Sequence, residues 1–386
     1  MLRQIRFQNI LSFGPDPEVL DLQALNVVIG PNGAGKSNLI EVIDLLRSAP
    51  RELAVPVQEG GGVRDWLWKG GDGVATACVE AVIDYPQGRH ALRHLLAFTE
   101  AGQRFQVTDE RVEDAAADAN NGGTSVYFRY GTGRPMLMDA LTRRRTAVMH
   151  VHPQRSILAQ RRDPEHYPEI TWLAEYYEGV RLYRDWAFGR HVAPRLPQKA
   201  DLPNDFLRED ATNLTLVLNA FRRLGAHKRA LLAEIQRLYA NIDDFDVIVE
   251  GGTVQLFLSE SDRVIPATRL SDGTLRYLAL LSVLCHPTPP GLVCIEEPEL
   301  GLHPDILPRL AELIREASTR TQLIVTTHSE VLVDALTEVP DAVVIAEKRA
   351  GSTRFSRLDA EHLRTWLKDY TLGDLWTRGE LGGTRW

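Results

Sequence analysis

The chain has 386 residues, 44% of them hydrophobic and 25% charged, an ordinary globular composition with room for two or three domains of about 150 residues each. Its 29 Gly and 21 Pro are too few for a collagen-like or disordered chain, and a net charge of −8 argues against a surface coated in positive charge for bulk nucleic-acid binding. Three widely spaced cysteines in apolar contexts, Cys78, Cys285 and Cys294, count against a disulfide scaffold or a cysteine zinc site, and no apolar run is long enough to span a membrane.

The N-terminal MLRQIRFQNILSFG has no signal-peptide character, so the expected location is cytoplasmic, with no membrane partner. Residues 2–8 alternate as a strand. Residues 25–29, LNVVI, read as a buried strand that stops at Gly30, and 36–47 place Leu39, Ile40, Val42, Ile43 and Leu46 at helical spacing. Residues 51–75 are Gly-rich and loop-like. From 76 to 152, short alternating stretches separated by turns such as Asn120-Asn121-Gly122-Gly123 predict an antiparallel sheet. Residues 153–240 switch to helical periodicity, broken by prolines near 194–204 and without sustained heptads. A hairpin at Gly251-Gly252 follows, then a helix at 274–285 that is apolar almost all round. Strand 291–295, helix 305–317, strand 322–326, helix 329–337 and strand 342–346 then alternate as in a mostly parallel sheet. Residues 359–386 read as a short helix and a tail.

Four motifs carry chemistry. Gly30-Pro31-Asn32-Gly33-Ala34-Gly35-Lys36-Ser37 fits G-x-x-x-x-G-K-S between a strand and a helix. Glycines let backbone N–H groups curl around phosphates, the helix points its positive end at them, Lys36 reaches the β- and γ-phosphates, and the Ser37 hydroxyl ligates Mg²⁺. These residues and the adjacent Asn38 form the candidate ATP site. Leu292 to Ile295 end in Glu296 and Glu297, a Walker B pattern in which Glu296 sits beside Mg²⁺ and Glu297 polarises the attacking water. Leu270-Ser271-Asp272-Gly273-Thr274 opens the buried helix. It resembles the LSGGQ signature of ABC-type ATPases, with Asp272 and Thr274 as departures, and makes Ser271, Asp272 and Gly273 a second candidate anion site. Thr326-Thr327-His328-Ser329 follows an apolar strand and looks like a switch histidine, so Glu297 and His328 are the candidate catalytic pair.

Together with Glu296-Glu297-Pro298-Glu299 running into Gly301-Leu302-His303-Pro304, these motifs resemble the bacterial ABC-type AAA-family ATPases related to RecF, SMC and OLD proteins. Those proteins occur in DNA-repair and phage-defence systems. The opening Phe7-Gln8-Asn9-Ile10-Leu11-Ser12-Phe13-Gly14 resembles their N-F-x-S-F-G start, without its cationic residue. His303 stands where many ABC proteins have the D-loop Asp, and Gln58 is the candidate Q-loop glutamine, without a diagnostic context. The resemblance implies an α/β ABC-type P-loop NTPase fold with a mixed sheet, an antiparallel β subdomain and a helical lid. The corresponding domains are 1–152, ATPase lobe I; 153–240, the helical insertion; 241–350, lobe II with signature, Walker B and switch His; and 351–386, a C-terminal helix and tail. It also implies ATP and Mg²⁺ as cofactors and a homodimer that sandwiches two ATP molecules, the signature of one copy on the γ-phosphate held by the other.

The expected function is an ATPase switch that gates a DNA-directed or effector activity in phage defence, the effector being a separate nuclease or toxin. The stretch after His328 is too short for the Toprim domain of OLD-type nucleases. A RecF-like DNA-repair ATPase is the alternative, and a transporter engine fits less well. Three weaker signals have two readings each. Arg143-Arg144-Arg145, Arg155, Arg161, Arg162, Arg181, Arg184, Arg190 and Arg195 suit either a duplex-DNA groove or a solvated surface with internal ion pairs. His150 and His152 share a strand face but have no evident third metal ligand. Trp366, Tyr370, Trp376 and Trp386 suit either partner docking or packing on the chain's own core.

Overall fold

The computed structural model describes residues 1–71, 75–116, 124–131, 134–148 and 150–383. The turn expected at Asn120 to Gly123, and Trp386 of the tail, lie outside the described residues. The chain divides into two compact units: Met1–Val180 with Pro340–Thr365 and Leu375–Trp386, and Arg181–Val339 with Trp366–Asp374.

The first unit contains an antiparallel sheet of eight strands in the order Glu18–Asp21, Leu2–Gln8, Ala77–Ile83, Leu92–Ala101, Arg104–Asp114, Val126–Tyr130, Met136–Asp139 and Arg144–Ala147. In Ala77–Ile83 every second residue is buried, the pattern of a sheet with one face on the core. The antiparallel region expected from the sequence is thus present and is extended by the two N-terminal strands. The Gly-rich stretch after residue 50 holds two short helices, Val55–Glu59 and Val63–Trp66.

The strand Leu25–Ile29 is buried throughout and pairs in parallel with Val343–Arg349. The latter turns at Ala350 and Gly351, both at positive φ (49° and 82°), into the antiparallel strand Ser352–Arg357. Two consecutive positive-φ residues are what a tight type I′ hairpin turn requires. This last strand was not expected, because the sequence after 350 read as helix and tail. Its Phe355 packs with Phe7 and Phe13, whose rings stack at 4.2 Å between centroids. Two aromatics of the N-terminal opening motif therefore anchor a strand from the other end of the chain.

In the second unit, Arg181–Tyr183, Leu292–Glu296 and Gln322–Thr326 pair in parallel, with the acid-ended strand in the middle. Arg181–Tyr183 lies inside the stretch read as helical. Three residues are too few to interrupt a helical pattern visibly, yet Leu182 and Tyr183 are buried as strand residues. The helices of that stretch are Ile157–Gln160 and Pro168–Gly179 in the first unit, and Leu214–Arg223 and Gly225–Leu238 in the second. The hairpin turns at Gly251 and Gly252 as expected, joining Ile242–Glu250 to Thr253–Glu260, and a third strand, Arg263–Pro266, adds to it. The helix Asp272–Leu284 is buried on all sides, and Leu307–Ser318 is amphipathic, burying Leu310, Leu313 and Ile314. The helix expected over 329–337 covers only Glu330–Asp334. Among the described residues no helix is long and apolar enough to cross a membrane.

Candidate functional site

In the first unit, the glycine loop leaves the Leu25–Ile29 strand at Gly30 (φ +148°), where a Cβ would lie 2.1 Å from the Ala346 carbonyl oxygen. Gly35 (φ +102°) is the N-cap of the helix Lys36–Ser48, and a Cβ there would meet Thr353 Oγ1 at 2.2 Å and Ser12 Oγ at 2.8 Å. A neighbouring carbonyl at Gly30 and neighbouring side chains at Gly35 leave no room for a Cβ, whereas Gly33 (φ +73°) has open space and is fixed by its backbone conformation alone. Lys36 is buried, and its ammonium donates to the carbonyl oxygens of Gly30 at 2.9 Å and Pro31 at 3.1 Å. Ser37 is exposed, as are Asn32 and Gly33 at the loop's tip, while Ala34 is buried beneath it.

Asn38 faces the scaffold. Its Nδ2 donates to Ser12 Oγ at 2.6 Å; the Ser12 hydroxyl then donates to Thr353 Oγ1 at 2.6 Å, and Thr353 Oγ1 donates to the Ala34 carbonyl at 2.8 Å. Because Asn38 supplies a proton to Ser12 and Ala34 accepts one from Thr353, the direction of each bond is determined. A buried ammonium on the loop, a helix start with no side-chain cap from Gly35, and an exposed hydroxyl at Ser37 form a donor set that fits a polyphosphate.

In the second unit, the parallel strands Leu292–Glu296 and Gln322–Thr326 place Glu296 opposite Thr326, so the acids and the histidine loop leave the same edge. Glu297 takes φ +46°, unusual for a residue with a Cβ, and its N–H donates to the Thr326 carbonyl at 2.9 Å. Its Oε1 lies 3.5 Å from His328 Nε2, with both side chains part-exposed. Glu299 Oε1 accepts from Thr327 Oγ1 at 2.6 Å and from the His328 N–H at 2.8 Å. Burial, aided by the nearby Glu297 charge, raises the pKa of this carboxyl above its ordinary value against the pull of those hydrogen bonds. Glu296 has a neighbour the sequence did not indicate, since Arg184 Nε lies 3.3 Å from its Oε2. The register explains why: Tyr183 pairs with Ile295, so residue 184 falls beside 296.

The signature residues begin the helix Asp272–Leu284. Ser271 caps it by accepting from the Thr274 N–H at 3.0 Å, and the Thr274 hydroxyl contacts both Ser271 Oγ (2.7 Å) and Tyr239 OH (2.6 Å). Asp272 pairs with the buried guanidinium of Arg195, which also donates to the carbonyls of Phe188, Gly189, Ala267 and Leu270. The departure at Asp272 is thus matched by a cation. Gly273 is required by packing, since a Cβ there would sit 2.8 Å from the Gly301 carbonyl oxygen. His303 is exposed, with Nδ1 3.3 Å from Asp305 Oδ2. Gln58 is exposed on Val55–Glu59.

The arginine-rich stretch is not one free cationic face. Arg155 pairs with Glu52 at 2.9 Å and Arg162 with Glu178 at 2.6 Å, while Arg184 and Arg195 serve Glu296 and the signature turn. Arg144 and Arg145 remain exposed on the edge strand Arg144–Ala147. In the tail, Trp376 is buried and donates from Nε1 to the Gly383 carbonyl at 3.1 Å, whereas Trp366 is exposed.

With this geometry in view, the family model described as "AAA domain, putative AbiEii toxin, Type IV TA system" matches residues 25–76 and 92–334, most of the chain. The chain belongs to this AAA family. A search of curated proteins finds no match. Among solved structures, a crystal structure of the SmcHead bound to the C-winged helix domain of ScpA is 16% identical with a TM-score of 0.58, covering 94% of this chain and 99% of that one. The Smc head domain with an extended coiled coil bound to the C-terminal domain of ScpA, derived from Pyrococcus furiosus, is 14% identical with a TM-score of 0.54, covering 95% of this chain and 98% of that one. At such identities the likeness speaks to fold, and this AAA-family chain has the SMC-head, ABC-type P-loop ATPase fold.

Proposed function

We propose that the chain is an ATP-hydrolysing switch. ATP binds along Gly30, Pro31, Asn32, Gly33, Ala34 and Gly35, with Lys36 opposing the β- and γ-phosphate charge and Asn38 holding the helix start in place. Mg²⁺, held by Ser37 and Glu296, would offset the charge of the triphosphate. Glu297 accepts a proton from the attacking water, and His328 orients that water and senses the γ-phosphate. The observation that carries this reading is the 3.5 Å approach of Glu297 Oε1 to His328 Nε2 at the ends of neighbouring parallel strands. A carboxylate and an imidazole so placed, both reachable from solvent, can hold and deprotonate a water.

In this reading two copies sandwich two ATP molecules, with Ser271, Asp272 and Gly273 of each facing the nucleotide of the other. The exposed Leu300 and His303, beyond the acids, suit a face kept for a second copy. Binding of the γ-phosphate favours the closed dimer, and hydrolysis removes that preference. The proposed division is 1–152 and 241–350 as ATPase lobes, 153–240 as lid and 351–386 as tail. The switch gates a separate nuclease or toxin in phage defence, a reading favoured by the toxin–antitoxin description of its family. A RecF-like role on duplex DNA is the second reading, favoured by the exposed Arg144 and Arg145.

The test is steady-state ATP hydrolysis with and without linear duplex DNA. Glu297→Gln should lower turnover by about a hundredfold or more while ATP still binds. Equal turnover in both proteins overturns the assignment. A severalfold rise with DNA favours the repair reading, and a rate indifferent to DNA favours a protein effector.

A further inference from the structure

We infer that Glu299 is a positioning residue, a clamp that fixes the histidine loop against the acid-ended strand and so sets the contact between His328 and Glu297. The inference rests on the hydrolysis reading above for its catalytic consequence, but the clamp itself is a matter of geometry.

The parallel ladder between Leu292–Glu296 and Gln322–Thr326 ends where the chemistry begins. One further backbone bond, Glu297 N–H to the Thr326 carbonyl, extends it by a single residue. Glu297 then turns to φ +46°, and Pro298 has no N–H to offer. The Glu299 carboxyl takes over: its Oε1 accepts from both the Thr327 hydroxyl and the His328 N–H. Thr327 Oγ1 in turn accepts from the Ser329 N–H at 2.9 Å, so the turn through His328 is organised from Glu299 outward.

The other carboxyl oxygen, Oε2, is buried and has no hydrogen-bond partner among the described residues. A carboxyl buried at half its hydrogen-bonding capacity is a poor choice for stability alone. The position of Oε1 is therefore the use of this side chain, and an amide oxygen at the same place can accept the same two hydrogen bonds. The sequence contained Glu299 within the stretch running from the acids to His303, but nothing in the spacing indicated that its partners were Thr327 and His328.

The test compares Glu299→Gln, Glu299→Ala and Thr327→Val in the full chain, reading ATP turnover, affinity for a fluorescent ATP analogue, and amide hydrogen exchange over residues 327–332. Glu299→Ala should lower kcat by about tenfold or more with KM and analogue affinity within about twofold. Exchange over 327–332 should rise. Glu299→Gln should recover kcat to within about threefold of the parent and restore protection, and Thr327→Val should lose kcat severalfold. An unchanged Glu299→Ala overturns the inference; so does a loss confined to KM, or an equal fall in the Gln and Ala variants. If Glu299→Ala does not fold, Thr327→Val, which deletes one hydroxyl, decides. If the parent chain does not hydrolyse ATP at all, the functional reading fails, and the exchange data still decide the clamp.

Discussion

Asp272 and Arg195 illustrate how one residue changes meaning with its partner. A carboxylate in the first turn of a helix suits the helix dipole but opposes an approaching phosphate. Arg195 offsets it, and the same guanidinium holds four backbone carbonyls, those of Phe188, Gly189, Ala267 and Leu270. Arg195→Met should therefore cost about 2–4 kcal/mol, because buried carbonyls lose a charged donor. Asp272→Asn, at an exposed carboxylate, should cost under about 1 kcal/mol. Urea-unfolding midpoints measure the asymmetry, and equal losses would mean that the ion pair rather than the carbonyl clamp dominates. His286 adds a pH dependence. It is buried, Nε2 donates to the Asp205 carbonyl at 2.6 Å, and Nδ1 accepts from the Thr288 N–H, while burial lowers its pKa from the ordinary 6.5. Below 6.5 the unfolded chain takes a proton that the folded chain resists, so stability falls as pH falls through and below that value. His286→Gln should flatten that slope in a pH series of thermal melts. At this scale the sequence singles out Lys36, Ser37 and the acids because their motifs are local. It does not disclose the roles of Arg184 and Arg195, whose carboxylate partners Glu296 and Asp272 lie far along the chain. A run of arginines reads the same whether each faces solvent or a carbonyl.

The strand–loop–helix around Gly30 to Ser37 is legible because each part obeys a short-range rule: an apolar run, positive-φ glycines, a helical stripe. What supports it is less visible. Ser352–Arg357 has few apolar residues in its alternation, and only the Ala350-Gly351 turn signals that the chain doubles back. Yet its Thr353 is hydrogen-bonded to both Ser12 and the Ala34 carbonyl. Thr353→Val should destabilise the chain by about 1–2 kcal/mol and weaken binding of a fluorescent ATP analogue severalfold. Undiminished affinity would show that the glycine loop holds its shape without this prop. Gly35→Ala should be more severe, since a Cβ there is both conformationally strained and driven into Thr353. The strand Arg181–Tyr183 was missed for another reason: three residues are shorter than any periodicity can register.

For the whole molecule, the alternation of strands and helices after residue 290 and the antiparallel stretches before 150 disclosed the class of fold. The pairing of distant strands was beyond them, because periodicity carries no partner information. The proposed sandwich makes a mass prediction. Glu297→Gln with ATP and Mg²⁺ should elute at twice the monomer mass in size-exclusion chromatography with light scattering, and Lys36→Ala should remain a monomer under the same conditions. A monomer in both cases would remove the basis for the signature's proposed role.

The hydrogen-bonded line from Asn38 through Ser12 and Thr353 to Ala34 has a further consequence. Ser12 and Thr353 lie 341 residues apart, so a ribosome delivers the glycine loop long before it delivers the strand that braces it. Nascent chains stalled before residue 352 should carry the complete phosphate-binding motif and yet fail to retain nucleotide. Contacts between such distant positions also close late and slowly in refolding. The proposed nucleotide site thus waits, during synthesis, for a strand made more than 300 residues after its loop.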